Sequence, residues 1–333
     1  MLKPISNTTI TQPGGDVYIL KQIAKIEIKK SRDTLTNTAK ITLPRNIKLF
    51  ENNRKTDLNS ILLRGSKVLI QLGYEQDYTA GTIDAGLKTE FEGYITELGA
   101  TIPVEINCQD EMWNLKKEAI TYSWKNAKLD DIVKYIYTGT SDIVDLNITN
   151  YQCANKTAAQ ILNELKKYKL RFYFDGKGVL KGEFAGQTSK NMHQGLNEVY
   201  FDFGKNIIKN ELVYKLKEEA PIKLIATSNL PNGKKYEITL GDNNGEVHTL
   251  NYYDLDQNSL ALIANNEIDR LWYNGYRGSF TQFGVPYVEP GYIANLHDDL
   301  YPEHDGAYLI EAIETTFGIE GFRRKVQLER ALV

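Results

Sequence analysis

The stretch NKTAAQILNELKKYKLRFYFDGKGVLKGEF, residues 155–184, passes directly from a helical to an extended hydrophobic pattern. Its first part opens with the capping-box sequence Thr157-Ala-Ala-Gln160 and then spaces its apolar residues along one helical face, which predicts a helix over residues 155–169. Its second part alternates aromatic and polar residues on both sides of Asp175-Gly176, which predicts a β-hairpin. Together with a helical pattern at residues 130–137, this stretch predicts a compact α/β unit over residues 111–190.

Strand patterns precede this α/β unit. β-Branched residues alternate with charged ones, as in Ile26-Glu-Ile-Lys29, and Pro44 ends the second of these runs. Five such segments, linked by turns and one long loop, predict a small antiparallel barrel or sandwich over residues 1–110, in which residues 1–15 form a polar lead-in. The predicted strands are 17–30, 38–43, 67–73, 91–98 and 104–109.

Strand patterns resume after a polar linker at residues 187–195 and continue nearly to the end of the sequence. One amphipathic helix interrupts them over residues 259–274, with Gly275 as its C-cap. These patterns predict a second β-rich domain over residues 191–333 and an α+β, mainly β fold class for the whole chain. The predicted strands are 198–203, 211–217, 222–227, 236–240, 247–252, 276–283, 308–316 and 323–328.

The composition is that of a globular protein without strong net charge. The 40 Lys and Arg residues against 43 Asp and Glu give a formal charge of −3, which excludes the basic surface that general nucleic-acid binding needs. Cys108 and Cys153 are too few for a disulfide framework and indicate a reducing compartment. No secretion signal is visible, and no apolar run approaches the roughly 20 residues of a membrane span. We therefore expect no sequence-specific nucleic-acid binding and no membrane segment.

The densest group of possible metal ligands is His297-Asp-Asp-Leu-Tyr-Pro-Glu-His304. Histidine and carboxylates can bind a divalent metal, but Pro302 breaks any helix that would align them, so a solvated loop is the simpler interpretation. Cys108 lies on a predicted strand without a histidine near it in sequence, which favours a buried small hydrophobe over a nucleophile. We assign no catalytic residue, no cofactor-binding residue and no metal ligand.

The sequence contains no P-loop, G-x-G-x-x-G fingerprint or G-x-S-x-G elbow. It contains 21 tyrosines, a residue common on pleated surfaces and at protein interfaces. This combination favours a structural or binding protein over an enzyme. Two alternatives stay open: a metal-dependent hydrolase that uses the His297–His304 segment, and a β-rich carbohydrate-binding or surface-binding module.

Several short runs, in order along the chain, resemble the baseplate hub family of contractile-tailed phages. This family includes late control protein D, other phage tail hub proteins and the hub half of type VI secretion spike proteins. The runs are Ala39–Pro44, Gly65–Tyr74, Phe91–Ile95 and Pro103–Asp110, then Lys156–Leu162 and Phe172–Leu180, then Gly306–Glu311 and Gly321–Leu328.

The resemblance implies two small antiparallel β-barrel domains, residues 1–110 and 191–333, with the α/β domain of residues 111–190 inserted between them. It implies a homotrimer whose six barrels form a pseudo-sixfold ring, which adapts a hexameric tail tube to a trimeric central spike. The expected partners are therefore the tail tube protein and the spike protein, and no cofactor is expected. The expected location is the tail baseplate of a phage, a prophage or a phage-derived contractile injection system, after assembly in the bacterial cytoplasm. The family offers no catalytic residues to transfer, so we expect a protein that is not an enzyme.

Overall fold

The computed structural model describes residues 3–20, 22–44, 49–51, 54–56, 62–75, 86–99, 102–185 and 197–332. Strands dominate and the helices are few, which confirms the predicted α+β, mainly β class. The predicted linker at residues 187–195, and with it the predicted boundary after residue 190, lies outside the described residues. Within the described ranges, no helix is long and apolar enough to cross a membrane.

The strands before residue 110 are β1 (Pro4–Thr11), β2 (Val17–Leu20), β3 (Lys25–Ser31), β4 (Thr38–Thr42), β5 (Leu49–Glu51), β6 (Arg54–Thr56), β7 (Lys67–Tyr74), β8 (Lys88–Leu98) and β9 (Glu105–Gln109). Seven of them pair antiparallel in the order β3-β4-β9-β8-β7-β1-β2, and β5 pairs with β6. Alternate residues of these strands enter one core, where Ile26, Ile28 and Ile41 are buried. This burial follows from the period of two that the sequence shows.

The prediction of a loose lead-in over residues 1–15 is wrong. Pro4–Thr11 forms β1, which lies inside the sheet and pairs with β2 on one side and β7 on the other. Thr8 and Ile10 of this strand are fully buried. Threonine is β-branched and suits a pleated strand, but its polarity hides the alternation that would reveal the strand in the sequence.

The α/β unit contains β10 (Ala119–Lys128), α1 (Leu129–Ile136), β11 (Ser141–Ile143), β12 (Asn147–Thr157), α2 (Ala158–Leu165), β13 (Leu170–Phe174) and β14 (Leu180–Phe184), with short 3-10 turns at Glu111–Lys116 and Lys166–Tyr168. The capping box is confirmed: the Gln160 amide donates to Thr157 Oγ1 at 3.3 Å, and the Thr157 amide donates to Gln160 Oε1 at 2.8 Å. The hairpin is confirmed too, with Phe174 opposite Leu180 across the turn. The paired strands β10 and β12 were not predicted, because their alternation is broken by bulges.

The remaining elements are β15 (Glu198–Asp202), β16 (Ile207–Lys215), β17 (Ile222–Asn229), β18 (Lys235–Gly241), β19 (Glu246–Tyr253), α3 (Gln257–Leu271), β20 (Gly275–Phe283), β21 (Ile293–His297), β22 (Gly306–Gly318) and β23 (Gly321–Ala331), with 3-10 turns at Lys217–Glu219 and Pro302–His304. The strands β18-β17-β19 form a sheet of their own, on which α3 packs. Leu224 and Ile263 of this small unit belong to the same core cluster as Leu162 and Phe172 of the α/β unit. The two units therefore share one hydrophobic core.

The other six strands pair as β15-β21-β22-β23-β20-β16 and curl around a third core. Phe201 of β15 and Phe280 of β20 meet edge to face with ring centres 4.7 Å apart, although three strands separate β15 from β20 in the sheet. Curling brings these side chains together, because a twisted sheet that folds over its inner face buries that face against itself.

β3 and β22 join the two groups of strands into one sheet of thirteen. They pair antiparallel from Ser31 opposite Ala312 to Lys25 opposite Gly318. At the tip of the β22–β23 hairpin, Phe317 and Phe322 enter the core of the N-terminal strands. This hairpin thus belongs to both groups, and the division into domains 1–110, 111–190 and 191–333 stays a prediction.

Candidate functional site

Five charged side chains from three regions of the chain meet in what we call the charged junction: Arg32, Arg171, Glu183, Glu311 and Glu329. Glu329 accepts a hydrogen bond from Arg32 Nη1 at 2.5 Å through Oε2, and its Oε1 forms an ion pair with Arg171 Nη1 at 2.7 Å. Arg32 Nε also donates to Glu183 Oε1 at 2.6 Å, and Arg171 Nη2 lies 3.3 Å from Glu311 Oε1. Arg32 follows β3, Arg171 and Glu183 lie on β13 and β14, and the two remaining glutamates lie on β22 and β23. The junction therefore connects the N-terminal strands, the α/β unit and the C-terminal hairpin.

Strand register places these side chains. Arg171 and Glu183 are directly opposite each other in the β13–β14 pair, and the Arg32 amide extends the β3–β22 ladder by donating to the Glu311 carbonyl at 3.0 Å. The side chains of Arg32 and Glu329 are 3% and 2% exposed. Burial alone would lower the pKa of Arg32, but Glu183 and Glu329 raise it above its usual value. The buried charges thus stabilise one another only while the three regions stay in contact.

A second buried ion pair ties the C-terminal hairpin to the N-terminal strands. Arg324 of β23 binds both carboxylate oxygens of Glu90 on β8, at 2.8 and 2.5 Å, and its Nε donates to the Gly284 carbonyl at 3.0 Å. Both side chains of the pair are 2% exposed. Nearby, Lys30 Nζ contacts Glu289 Oε1 at 2.5 Å. A fixed bidentate pair of this kind sets a single relative position for β8 and β23.

Asp110 and Asn37 form a third buried polar contact, between the N-terminal strands and the α/β unit. The carboxylate of Asp110 accepts hydrogen bonds from the backbone amide of Asn37 at 2.9 Å and from the backbone amide of Met112 at 3.1 Å. The side chain of Asn37 donates to the Phe174 carbonyl at 3.2 Å. Burial raises the pKa of Asp110 to about 7, although the two amides oppose this rise. The protonation of Asp110 is therefore coupled to the packing of the two units.

The predicted metal-ligand segment forms a loop and a short 3-10 turn whose polar groups bind one another. His297 Nδ1 lies 2.5 Å from Asp305 Oδ2 and its Nε2 lies 3.0 Å from Asp299 Oδ1, and hydrogen bonds to these carboxylates raise the pKa of His297. His304 stacks on the Tyr214 ring at 3.9 Å, away from His297. Asp202 is the third possible ligand near His297, and it already contacts a lysine and a backbone amide. The sequence-based assignment of no catalytic or metal residue stays a prediction.

Both cysteines are buried and free. Cys108 lies on β9, opposite Ala39 and Ile95 in the sheet, and burial raises the pKa of its thiol to about 12. A thiol with that pKa is almost fully protonated at neutral pH and is a poor nucleophile. The interpretation of Cys108 as a small buried hydrophobe is confirmed.

The thirteen-stranded sheet does not close through backbone pairing in the described part of the chain. β2 and β16 end its path, and β15 branches from it, so each of the three pairs on one side only. These unpaired edges expose large apolar side chains. They are Val17 and Ile19 on β2, Ile208 and Val213 on β16, and Tyr200 on β15. Soluble proteins usually protect strand edges with charges or proline, so exposed apolar edges indicate contact surfaces.

Sequence reasoning missed the charged junction. Arg171 and Glu183 lie on the two predicted strands of the hairpin. The alternation of polar and aromatic residues in these strands gives no sign that both faces of β13 are buried. The one available signal is that Arg171 stands between Leu170 and Phe172 in a strand without any other charged residue. An isolated charge in an apolar strand indicates a buried partner, but the sequence does not say which partner.

Comparison with known proteins finds similarity in structure and none in sequence. No protein-family model and no curated protein matches the chain. A 43 kDa tail protein of prophage MuSo2 from Shewanella oneidensis superposes with a TM-score of 0.61 at 15% identity, over 97% of this chain and 98% of that one. A tail protein from Neisseria meningitidis MC58 gives 0.62 at 10% identity, over 98% and 96%. A chain of the Francisella PdpA–VgrG complex gives 0.55 at 13% identity, over 99% of this chain and 53% of that one.

These matches extend over nearly the whole chain, so they include the N-terminal strands, the α/β unit and the C-terminal strands together. The chain thus has the fold of these two tail proteins and of a chain in a VgrG complex. This confirms, at the level of the fold, the resemblance to the baseplate hub family.

Proposed function

We propose that this chain is a structural hub protein of a phage-type tail baseplate and has no enzymatic activity of its own. The observation that carries the proposal is the whole-length structural match to two tail proteins, one of them from a prophage. Those matches leave no large part of the chain for a separate catalytic domain. The hub is proposed to act as a homotrimeric ring that adapts a hexameric tail tube to a trimeric spike.

The unpaired strand edges support the ring. β2 and β16 stand at opposite ends of one sheet, so head-to-tail contact between copies would place different edges against each other. A heterologous contact closes into a ring when the rotation between copies divides a full turn, and threefold closure is the smallest such ring. Pairing across subunits would also bury the exposed Val17, Ile19, Ile208 and Val213.

The two groups of strands support the adaptor role. Seven strands contribute to the N-terminal core and six to the C-terminal core, and the strands of each group pair antiparallel except for β15 with β21. Three subunits would therefore present six similar groups of strands to a hexameric tube. The remaining parts of each subunit would be present three times, which matches a trimeric spike. That arrangement lets one protein match two symmetries, and it is our reason for the partners and the virion tail location that we propose.

The buried ion pairs support a role that requires a rigid subunit. Arg32 with Glu329 and Arg324 with Glu90 connect strands that lie far apart in sequence, and both pairs are almost fully buried. A shift that displaced one partner inside the protein would leave an unpaired buried charge, so each pair favours one arrangement of the strands that it joins. A hub between a tube and a spike requires such a fixed subunit shape.

The solution mass tests the proposal. We expect light scattering to give three times the chain mass of 37.9 kDa for the purified chain alone, or that mass plus the mass of the bound spike for a mixture with the spike protein of the same tail. Negative-stain averages of that species should show a central opening. A monomer in both samples would contradict the ring.

Substitutions on the unpaired strands test which edge forms the contact between subunits. Val213→Lys on β16 should reduce trimer formation at least tenfold, because it places a charge in an apolar interface. Val247→Lys on β19 is the matched control, since both valines are 56% exposed but β19 lies outside the thirteen-stranded sheet. Equal trimer formation by the two variants would show that the β16 edge is not the interface.

A further inference from the structure

A cleft lies between the α/β unit and the small sheet that carries α3. Its volume is about 470 Å³, within the range of ligand sites. It opens where the end of β19 faces the start of β12 and the 3-10 turn that follows α2. Its walls include Asn150, Tyr168, Asn251, Tyr252, Tyr253 and Asp254, and we call it the tyrosine cleft. It contains no residue of the charged junction and no residue of the unpaired edges described above.

Aromatic rings form one part of the tyrosine cleft. The rings of Tyr168 and Tyr252 stack with centres 5.9 Å apart and planes inclined by 17°. Tyr253, the last residue of β19, also lines the cleft and is 67% exposed. An exposed aromatic ring offers a flat apolar surface to a ligand that carries C–H groups on one face.

Amide and carboxylate groups form the other part. Asn251 Oδ1 accepts from Thr227 Oγ1 at 2.7 Å, which fixes the side chain so that its amide nitrogen can donate to a ligand. Asn150 Nδ2 donates to Asp254 Oδ2 at 3.1 Å, which leaves the second carboxylate oxygen as an acceptor. Fixed donors and acceptors beside an aromatic surface match a ligand with many hydroxyl groups.

The charge of the tyrosine cleft favours an uncharged ligand over an anionic one. Lys167 and Asp254 are the charged residues that line it, and their charges cancel. The Lys167 ammonium lies 4.9 Å from the centre of the Tyr168 ring, so an aromatic face already engages it. Asp254 would repel a phosphate or a carboxylate that entered the cleft, and no second cation among the described residues lines the cleft to offset that repulsion. The cleft therefore suits an uncharged ligand.

Backbone strain is concentrated at the same place. Thr149 and Asp254, which both line the cleft, have φ values of 60° and 56°. Thr149 Oγ1 donates to the Asp254 carbonyl at 2.7 Å, so the two strained residues hold each other across the cleft. A β-branched residue rarely adopts a left-handed conformation, and such residues cluster at ligand sites.

From these features we infer that the tyrosine cleft binds a neutral oligosaccharide. A sugar ring has a C–H face for Tyr253 and hydroxyl groups for Asn251 and Asp254, and it carries no charge. An extended peptide is the other class that could lie here, along the outer edge of β19, but it would not need the fixed amide and carboxylate groups. This inference goes beyond the proposed hub role and holds whether or not the chain forms a trimer.

Calorimetry on the full chain with maltohexaose, cellohexaose, isomaltohexaose and chitohexaose tests the inference. We expect at least one of the four to bind, and Tyr253→Ala and Asn251→Ala each to weaken that binding at least tenfold. Tyr200→Ala is the matched control, because Tyr200 is 72% exposed on β15, which contributes no residue to the cleft. It should bind as the unchanged protein does.

Three results would overturn the inference: none of the four sugars binds, Tyr253→Ala binds as tightly as the unchanged protein, or Tyr200→Ala loses binding equally. A peptide library that binds at Tyr253 while all four sugars fail would assign the cleft to the other class. Circular dichroism of each variant checks that it is folded. Because Tyr253 is largely exposed, its replacement should leave the spectrum unchanged.

Discussion

Arg32 and Glu329 are 297 residues apart in the sequence, yet Nη1 of the arginine lies 2.5 Å from Oε2 of the glutamate in the interior of the protein. Each belongs to a different end of the chain, and Arg171 of the α/β unit binds the same glutamate. One carboxylate thus forms ion pairs with arginines from two separate regions of the chain. Together with the β3–β22 strand pair, this contact holds the N-terminal strands, the α/β unit and the C-terminal hairpin in one arrangement.

Arg32→Met should destabilise the protein by about 3–5 kcal/mol, because it leaves the partly buried Glu183 without its arginine and the buried Glu329 with Arg171 as its one remaining arginine partner in the charged junction. Urea unfolding followed by circular dichroism measures the change. Lys67→Met is the control: its partner Glu92 lies at the surface, and loss of that pair should cost less than about 1 kcal/mol. Equal losses for the two variants would contradict the structural role of the charged junction.

Glu90 and Arg324 should show strong coupling in a double-mutant cycle. Each single change to leucine leaves a buried charge unpaired, whereas the double change removes both charges together. We expect each single variant to lose about 3–5 kcal/mol and the double variant to lose much less than the sum, with a coupling energy above about 2 kcal/mol. Additive losses in denaturant unfolding would show that the pair contributes nothing as a pair.

Asp110 should make the protein less stable as the pH rises. Its pKa is about 7 in the folded protein and near 3.9 in an unfolded chain, so between these values the folded state binds more protons. The free energy of unfolding therefore falls as the pH rises. The contribution of Asp110 to this free energy is fully present below about pH 4 and is lost by about pH 7. Other carboxyl groups with lowered pKa values act in the opposite direction, so the comparison must be with Asp110→Asn.

The unfolding free energy of the unchanged protein minus that of Asp110→Asn should fall by about 3 kcal/mol from pH 4.5 to pH 7.5, since each unit of pKa difference corresponds to about 1.4 kcal/mol. The backbone amides of Asn37 and Met112 each donate to a different carboxyl oxygen of Asp110, and an asparagine keeps one of these two oxygens. Asp110→Asn should therefore be less stable than the unchanged protein at pH 4.5. A difference that is constant across this range would mean that Asp110 titrates normally in the folded protein.

Cys108 should resist thiol reagents while the protein is folded. Burial and a pKa of about 12 leave almost no thiolate at pH 8. In a Cys153→Ser background, labelling of Cys108 by iodoacetamide should be at least a hundredfold slower in buffer than in 6 M guanidinium chloride, measured by mass spectrometry. Rapid labelling of the folded protein would show that β9 opens or that the thiol is accessible.

The sequence predicted the elements whose signals are local. The alternation at β3, the capping box of α2, and the aromatic hairpin of β13 and β14 each depend on residues within about fifteen positions of one another. Side chains two apart lie on one face of a strand, and a cap is satisfied within four residues, so these elements need no knowledge of distant contacts. The helix predicted at residues 259–274 is present at Gln257–Leu271 for the same reason.

Only the tertiary structure decided which elements meet. The sequence shows β3 and β22 as two strands among many, and nothing in either one specifies that Ser31 pairs with Ala312. It shows Thr8 as polar, whereas β2 and β7 bury it from both sides. Strand pairing and the burial of a charge depend on the partner brought up by the rest of the chain, and a shift of one residue would turn every side chain to the opposite face. Residue types thus determined the strands and helices, while the long-range contacts around Arg32, Glu329 and Phe317 determined one shape for the whole.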